Sequence, residues 1–372
     1  MHCDNEEIQR RAINFLRFPL AVGVVFIHCV GTPQIRLQQL RWDSFDGMVA
    51  FDLLRSIFSH ILPSLAVPMF FFISGYLFFK TSCGSFGKND YLLKLGKRAK
   101  TLLLPYVAWN VIFLLKRFFT QNSSKDFVAF LKSYDWTNFL WGSHSIGKDT
   151  VSWLGYSLGH LTSPIDVPLW FVRDLMVVVL ISPLIYALIN KLKVWAIAVV
   201  LIPYFLKLWP YCLGISSMSF VMFSVGAYFS INRLDVVAEA RRIKGISYVA
   251  FGIATVLQII FIGKLGWWMN VISPIYMFFG MAVLINISAY FSAKHKPSEI
   301  LAKSSFFLYA SHTLFLSEID KFVRGWGWNA TPLSFSVRYL TLPLLATICC
   351  FAACWLLEKA VPALHKILSG NR

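Results

Sequence analysis

The chain has 372 residues, of which 57% are hydrophobic and 14% are charged, and its formal net charge is +17. Soluble domains are about 45–50% apolar and about 25% charged, so this composition excludes an ordinary soluble protein and predicts an all-α integral membrane protein. In a membrane protein the positive charge is expected from cytoplasmic loops rich in Lys and Arg. The sequence shows no basic–aromatic module that reads bases, so nucleic acid is not an expected partner.

The first predicted membrane span, about residues 14–31, carries two ionisable side chains, Arg17 and His28. They are eleven positions apart, about three helical turns, so they share one face of a helix and lie about 16 Å apart along its axis. Ionisable groups at such depth usually line a cavity or a substrate path. Two other interpretations stay open: Arg17 reaches back to the inner interface, and His28 is a packed histidine bonded to a neighbouring helix.

The hydrophobic segments, taken in chain order, predict ten membrane-spanning helices with both termini in the cytoplasm. The short loops assigned to the inner side are consistently basic, which supports this orientation, and the N-terminus is not a cleavable signal. An amphipathic stretch at about 45–58 is expected at the outer interface, and residues 116–166 are expected to form a long extracytoplasmic loop with short helices of its own. The predicted spans cover about residues 14–31, 61–79, 101–115, 167–189, 194–209, 213–231, 246–263, 270–291, 304–317 and 337–357.

Two motifs lie near the second and third spans. Ser74-Gly75 places two small residues inside an aromatic run, which indicates close helix packing. A basic run, Lys94 to Lys100, then leads into Leu104-Pro105. This run suits inner-side topology, binding of lipid head groups, or binding of a phosphate-bearing cofactor, and composition alone favours topology.

Polar residues also occur in the fourth and ninth spans. Arg173 and Asp174 are adjacent in a helix, so they are expected to point in different directions and to need partners from other helices or from water. Tyr309 and His312 are three positions apart and share a helix face. For His312, a direct role in a site and simple helix–helix bonding both remain open.

Several functional classes lose support because their motifs are missing from the sequence. It contains no Walker A, G-x-G-x-x-G, H-E-x-x-H or G-x-S-x-G pattern, which argues against ATP-driven pumping, dinucleotide redox chemistry and zinc proteolysis. The seven cysteines form no C-x-x-C pair and no Cys/His metal spacing, so no metal site is expected. Most of them are expected to pack as small apolar residues.

Taken together, these stretches resemble the membrane-bound acyltransferase-3 family, which contains bacterial O-acetyltransferases that decorate surface glycans. The resemblance covers about residues 8–360 as a single transmembrane domain, nearly the whole chain. It rests on the Arg17-x10-His28 pair, the Phe70–Tyr76 stretch, the basic run before Leu104-Pro105, the Leu169-Trp170-Phe171 stretch and Tyr309-x-x-His312.

The resemblance implies a ten-helix core, an acyl-CoA donor (usually acetyl-CoA) that enters from the cytoplasm, and an acceptor hydroxyl on a lipid-linked or extracytoplasmic sugar. His28 matches the family's essential histidine, and Arg17 matches its arginine. The family often carries Arg-x-x-Arg in the basic run. Here the match is Arg98-Ala99-Lys100-Thr101, so the second arginine is missing, and Lys97 and Lys100 are expected to supply part of the charge.

The resulting hypothesis is an O-acyltransferase of the bacterial inner membrane, in contact with membrane lipids and most simply an O-acetyltransferase. His28 would act as general base on the acceptor hydroxyl, and Arg17 would bind the donor's phosphates or orient its acyl arm, together with Arg98, Lys97 and Lys100. Further candidates for the lining of the substrate cavity are Ser74, Trp170, Arg173, Tyr309 and His312.

Two other classes remain open at this point. A transporter or flippase for an anionic or acylated solute would also place charge within the membrane without a nucleotide site, although the sequence shows no inverted repeat of the kind transporters often have. A third class is a sensor or assembly subunit of a glycan synthesis complex, with degenerate catalytic residues.

Overall fold

The computed structural model describes residues 2–29, 46–80, 86–121, 126–142, 152–153, 156–157, 162–206, 208–209, 215–261, 267–324 and 331–371. Within these ranges the regular structure is helical apart from two short antiparallel strands, β1 (Ser152–Trp153) and β2 (Tyr156–Ser157). This confirms the predicted all-α class. The helices are α1 (His2–His28), α2 (Gly47–Arg55), α3 (Ala66–Phe79), α4 (Lys88–Arg98), α5 (Leu104–Gln121), α6 (Phe127–Ser133), α7 (Thr137–Leu140), α8 (Trp170–Leu180), α9 (Ser182–Leu192), α10 (Val194–Phe205), α11 (Ser217–Ile231), α12 (Val236–Arg242), α13 (Lys244–Ile260), α14 (Trp267–Lys294), α15 (Glu299–Arg324), α16 (Pro332–Ala360) and α17 (Pro362–Leu368).

Length and apolar composition identify the helices that can cross a membrane. In the described part of the chain five helical runs qualify, or up to seven if each of two bent helix pairs counts as one span. The shorter apolar helices α10 and α13 fall below the required length. The chain is therefore a multi-pass membrane protein, while the number of ten spans and the cytoplasmic termini stay predictions. The five runs are Glu6–His28, Gly47–Phe79, Lys88–Thr120, Val271–Lys294 and Pro332–Ala360.

The basic run, predicted as a loop before a short span, is helical. Helix α4 continues through a π-helical segment, Ala99–Leu103, into α5. Lys and Arg are good helix formers, so a charged run can extend a membrane helix beyond the apolar region. The wider π turn ends two residues before Pro105, which has no backbone N–H to donate into a regular helix.

The second span also begins earlier than predicted. The amphipathic stretch forms α2, and a π-helical segment (Ser56–Ile61) and a 3₁₀ segment (Leu62–Leu65) join it to α3. Asp46 is the N-cap residue of α2, and its side chain accepts hydrogen bonds from the N–H groups of Met48 and Val49 at 2.9 and 2.8 Å. The predicted interfacial helix is therefore the first part of one continuous helical run.

The described residues form two compact units. The first contains the described parts of residues 1–70 and 233–356, and the second those of 71–232 and 357–372. In the first unit α1 packs against α14 and α15. Its apolar core joins Cys29, directly after α1, to side chains from four helices: Ala21 and Val25 of α1, Phe51 of α2, Leu308 and Leu316 of α15, and Tyr339, Leu342, Ala346 and Cys350 of α16.

Hydrogen bonds between side chains reinforce this core. The Tyr339 hydroxyl and the Ser59 Oγ are 2.6 Å apart, and Ser59 in turn donates to the Phe26 carbonyl oxygen at 2.5 Å. Because Ser59 is already a donor, the Tyr339 hydroxyl must donate to it. These bonds tie α1, the π-helical segment after α2 and α16 together near the end of α1.

In the second unit α3 and α11 cross at two glycines. A Cβ atom on Gly75 would collide with the carbonyl oxygen of Phe223, and one on Gly226 would collide with the carbonyl oxygen of Phe72. The two backbones are therefore in direct contact, as small residues permit in membrane helices. The close packing predicted from Ser74-Gly75 is confirmed at Gly75.

Candidate functional site

The last turn of α1 brings His28 next to His312 of α15. The centroids of the two imidazole rings are 5.1 Å apart, and the rings are inclined by 48°. His28 is half-buried, whereas His312 is completely buried. The two intramembrane histidines that the sequence presents separately therefore form one pair.

The hydrogen bonds of His312 define its tautomer. Its Nδ1 is 2.6 Å from the carbonyl oxygen of Tyr309, three residues earlier in α15. A carbonyl oxygen only accepts, so Nδ1 carries the proton and the neutral ring presents a lone pair at Nε2. That buried Nε2 has no hydrogen-bond partner among the described residues. The unused acceptor belongs to the ring that lies against His28.

Arg17 lies on the same face of α1 as His28. The helix is continuous between them, so the helical rise separates them by about 16 Å along the axis. Arg17 is half-buried, and in the described part of the chain no side chain contacts its guanidinium in an ion pair or hydrogen bond. A partly buried arginine in that position is suited to an anionic ligand, since its planar fork can bind a phosphate or a carboxylate through two contacts.

The members of the basic run have different surroundings. Lys94 donates to the carbonyl oxygens of Phe78 and, at 2.7 Å, Lys80, so it caps the C-terminal end of α3. Lys97 and Lys100 are exposed and Arg98 is half-buried. Lys94 therefore has a structural role, and the two exposed lysines remain accessible to a ligand. All four belong to the second unit, whereas Arg17 and His28 belong to the first.

Arg173 and Asp174 bind each other, which corrects the prediction that they point apart. Nε and Nη2 of Arg173 donate to one oxygen of Asp174 at 3.0 and 2.8 Å. The arginine side chain is long enough to fold back on its neighbour, so the helical direction of the two Cβ atoms does not decide the contact. The other Asp174 oxygen accepts from the Ser216 backbone N–H at 2.8 Å, just before α11.

Arg173 also joins the two ends of a chain segment. Its Nη1 donates to the Trp141 carbonyl oxygen at 2.7 Å and to the Thr162 hydroxyl at 2.8 Å. The Trp141 ring lies 5.1 Å from the guanidinium carbon in a cation–π contact. We call this arrangement the Arg173 neck. It joins two positions within the predicted extracytoplasmic loop 116–166, after α6 and α7. Residues 143–151, 154–155 and 158–161 lie outside the described residues.

The remaining sequence candidates lie on three helices, α3, α8 and α15. Ser74 is half-buried on α3, one residue before the glycine crossing. Trp170 is half-buried at the start of α8, with its ring 6.4 Å from that of Phe71. Tyr309 is buried on α15, and its ring lies 6.3 Å from the His312 ring. Only Tyr309 therefore adjoins the histidine pair within its own unit.

Sequence reasoning missed a buried carboxyl group at Asp166. The residue is fully buried, and both side-chain oxygens lack a hydrogen-bond partner among the described residues. Its backbone N–H donates to Oδ1 of the buried Asn110 at 3.2 Å. Burial raises the pKa of Asp166 well above its ordinary value. An acid directly before Val167-Pro168 reads as a polar loop residue, so the sequence gives no signal of this environment.

Comparison with known proteins identifies the class. The sequence matches the acyltransferase domain family over residues 10–359, so the chain belongs to this family. It is also 27% identical over 376 residues to the succinoglycan biosynthesis protein ExoH of Rhizobium meliloti (strain 1021), an alignment that covers 97% of this chain and 92% of ExoH. No solved structure matches the chain. The protein is thus a membrane acyltransferase, and the predicted family is confirmed.

Proposed function

We propose that the protein is an O-acetyltransferase of the bacterial inner membrane, which transfers the acetyl group of cytoplasmic acetyl-CoA to a hydroxyl of a cell-surface or lipid-linked glycan. Membership of the acyltransferase family supports the reaction class. The similarity to a succinoglycan biosynthesis protein supports a carbohydrate acceptor. Family membership also favours an enzyme over the transporter and the sensor.

The histidine pair is the observation that carries the assignment of the reacting centre. His28 is half-buried, so it is accessible enough to meet a substrate, and its ring lies against the fully buried His312. A catalytic base is usually oriented by a third group. Nε2 of His312 is an acceptor without a partner, so an N–H of His28 can bond to it after a small ring rotation. With that bond in place, the other ring nitrogen of His28 is free to take a proton from the hydroxyl of the acceptor sugar.

The reaction then proceeds with His28 as general base. The neutral imidazole takes the proton of the acceptor hydroxyl while the hydroxyl oxygen attacks the thioester carbonyl carbon. A new C–O ester bond forms as the C–S bond breaks. The imidazolium returns its proton to the departing sulfur, so coenzyme A leaves as the free thiol and His28 is neutral again.

Arg17 serves the donor in this proposal. The distance of about 16 Å from His28 excludes direct contact between the two side chains and suits a long, extended substrate. Coenzyme A is such a molecule, with its phosphates far from its thioester. Arg17 binds the anionic part or orients the acyl arm while the thioester reaches His28.

Replacement of His28 by alanine tests the proposal. Loss of a general base commonly lowers a rate by about 10²–10⁴-fold, so the variant should show almost no transfer of labelled acetyl from acetyl-CoA to the cell's glycans. His60→Ala is a matched control, since His60 is exposed on a helical segment of the same unit and should leave transfer unchanged.

Protein level in the membrane should be measured by immunoblot for both variants. Near-normal acetylation by His28→Ala at an unchanged level would contradict the role of His28. Failure of the wild-type protein to bind or use acetyl-CoA, with intact membrane insertion, would contradict the acetyl-CoA donor itself.

A further inference from the structure

Residues 362–371 pack against other helical segments of the second unit. Helix α17 is followed by Ser369, Gly370 and Asn371, and both Leu368 and Ser369 are buried. Trp109 of α5 donates its indole N–H to the Leu368 carbonyl oxygen at 3.0 Å. Helix α17 therefore packs against α5.

Gly370 makes the closest contact of the C-terminal segment. Its φ of +71° is in the left-handed region, and a Cβ atom there would come within 2.6 Å of the Thr101 carbonyl oxygen. Thr101 lies in the π-helical segment that continues the basic run. Only glycine satisfies both the backbone conformation and the close approach. The contact therefore fixes the end of the chain to this segment of the basic run.

Asn371 links two exposed lysines through their backbones. Its N–H donates to the Lys366 carbonyl oxygen at 2.7 Å, and its side-chain amide donates to the Lys100 carbonyl oxygen at 3.5 Å. Lys97 and Arg98 are within the turn that precedes Lys100. Four cationic residues from two distant parts of the sequence are thus gathered in one region.

This concentration of positive charge points to an anion with several charges. Like charges in one region repel one another, and a phosphate-rich ligand removes that repulsion. Lysine binds phosphate as a point charge, so Lys97, Lys100 and Lys366 suit a diphosphate or a separate phosphate group. The exposed ammonium groups need no rearrangement of the fold to reach such a ligand.

We propose that the C-terminal segment, residues 362–371, completes a site for the donor's phosphates. The basic run supplies Lys97, Arg98 and Lys100 to this site. The segment holds that run in place and contributes Lys366. This inference rests on the proposed function, which makes acyl-CoA the donor. The segment acts through position and charge and makes no contact with the reacting thioester. The ligand of this site is the phosphate-bearing part of acyl-CoA.

Two donors distinguish a phosphate site from general damage. Acetyl-CoA carries the phosphates, whereas S-acetylpantetheine keeps the thioester and has none. Lys366→Gln in the purified full-length protein should raise the KM for acetyl-CoA roughly threefold to fivefold, the effect of one exposed charge contact, with kcat unchanged. It should leave the KM for S-acetylpantetheine as in the wild type, and Lys366→Arg should retain the wild-type values.

Lys191→Gln is the matched charge control. Lys191 is exposed at the end of α9, in the same unit and on the same predicted side of the membrane, and its replacement should change neither KM. An equal KM for acetyl-CoA in Lys366→Gln and wild type would overturn the proposal. An equal rise for both donors would overturn it as well, since the effect would then not depend on phosphate.

A pair of glycine variants tests the positioning role. Gly370→Ala should raise the KM for acetyl-CoA at least as much as Lys366→Gln, because it forces the segment away from Thr101. Gly252→Ala in α13, outside the basic run, is the control: its added Cβ also meets nothing within 4 Å, so it should leave the KM unchanged. A wild-type KM in Gly370→Ala would show that the segment does not position the site.

Anionic lipid head groups offer the same phosphate chemistry, so the assays should be repeated in vesicles of phosphatidylcholine alone and with phosphatidylglycerol. If the KM for acetyl-CoA differs between Lys366→Gln and the wild type in both membranes, the donor is the ligand of Lys366. A difference seen only with phosphatidylglycerol would assign Lys366 to lipid and overturn the proposal. If the wild type turns over neither donor, the proposed function fails and this inference fails with it.

Discussion

At the scale of single residues, the two histidines show what a spacing pattern can and cannot give. The eleven-residue interval places Arg17 and His28 on one face of α1, and the continuous helix retains that relation. The 5.1 Å approach of the His28 and His312 rings depends on the packing of α1 against α15, more than 280 positions along the chain. No local pattern encodes that contact.

Asp166 gives a prediction about pH. In the unfolded chain its carboxyl group has an ordinary pKa near 3.9, whereas burial raises the pKa in the folded protein. The folded state therefore holds one more proton as the pH rises above the ordinary value, and stability falls through that window. Asp166→Asn removes the titration, so the stability of the variant should not fall as the pH rises from 4.5 to 8, whereas that of the wild type should.

Thermal unfolding of the purified protein in detergent, from pH 4.5 to pH 8, would measure this difference. Asp46→Asn is the control: Asp46 is exposed and caps α2, and asparagine caps a helix equally well. A variant at position 166 that is less stable than wild type at every pH would show that the carboxyl group has a partner in the working protein.

At the scale of helices, the glycine crossing of α3 and α11 gives the second prediction. Gly75→Ala and Gly226→Ala should each destabilise the protein by about 1–3 kcal/mol or more, because a methyl group must push two backbones apart. Gly252→Ala in α13 is the control, since its added methyl meets nothing within 4 Å and should stabilise the helix by about 0.5–1 kcal/mol.

The measurement is the melting temperature of each purified variant in the same detergent. Suppose that Gly75→Ala has the melting temperature of the wild type while Gly252→Ala has a higher one. The backbones of α3 and α11 would then not be in contact at that crossing. Activity should follow stability in these variants, since neither glycine is placed at the reacting centre.

The helices also show why some contacts escape sequence analysis. The small pair at Ser74-Gly75 is a local signal and predicts close packing correctly. The fold-back of Arg173 onto Asp174 and the capping of α3 by Lys94 depend on long side chains whose rotamers only the tertiary environment selects. Charge in a sequence shows that a partner is needed, but it does not say which one.

At the scale of the whole molecule, composition and hydrophobic segments were enough to predict a helical membrane protein, and the resemblance of its motifs predicted the acyltransferase family. Helix ends were less predictable: the runs that begin at Gly47 and Lys88 extend well beyond their apolar cores. Hydropathy detects the apolar part of a helix, whereas π-helical and 3₁₀ segments let the helical run continue past prolines and charges.

The predicted orientation can be tested with two exposed serines. In a variant without the seven native cysteines, Ser133→Cys in α6 should react with a membrane-impermeant maleimide added to intact spheroplasts. Ser298→Cys, just before α15, should react only after the membrane is permeabilised. The reverse pattern would contradict the assignment of short basic loops to the cytoplasm, and with it the cytoplasmic termini.

The Arg173 neck has a consequence for the length of the chain between its two ends. One guanidinium holds both Trp141 and Thr162, so these two positions are kept close together. Each doubling of the length of a flexible loop costs only about 0.6 kcal/mol in closure entropy. A longer connection between Trp141 and Thr162 would therefore cost the folded state little in closure entropy, because Arg173 already holds the two ends together.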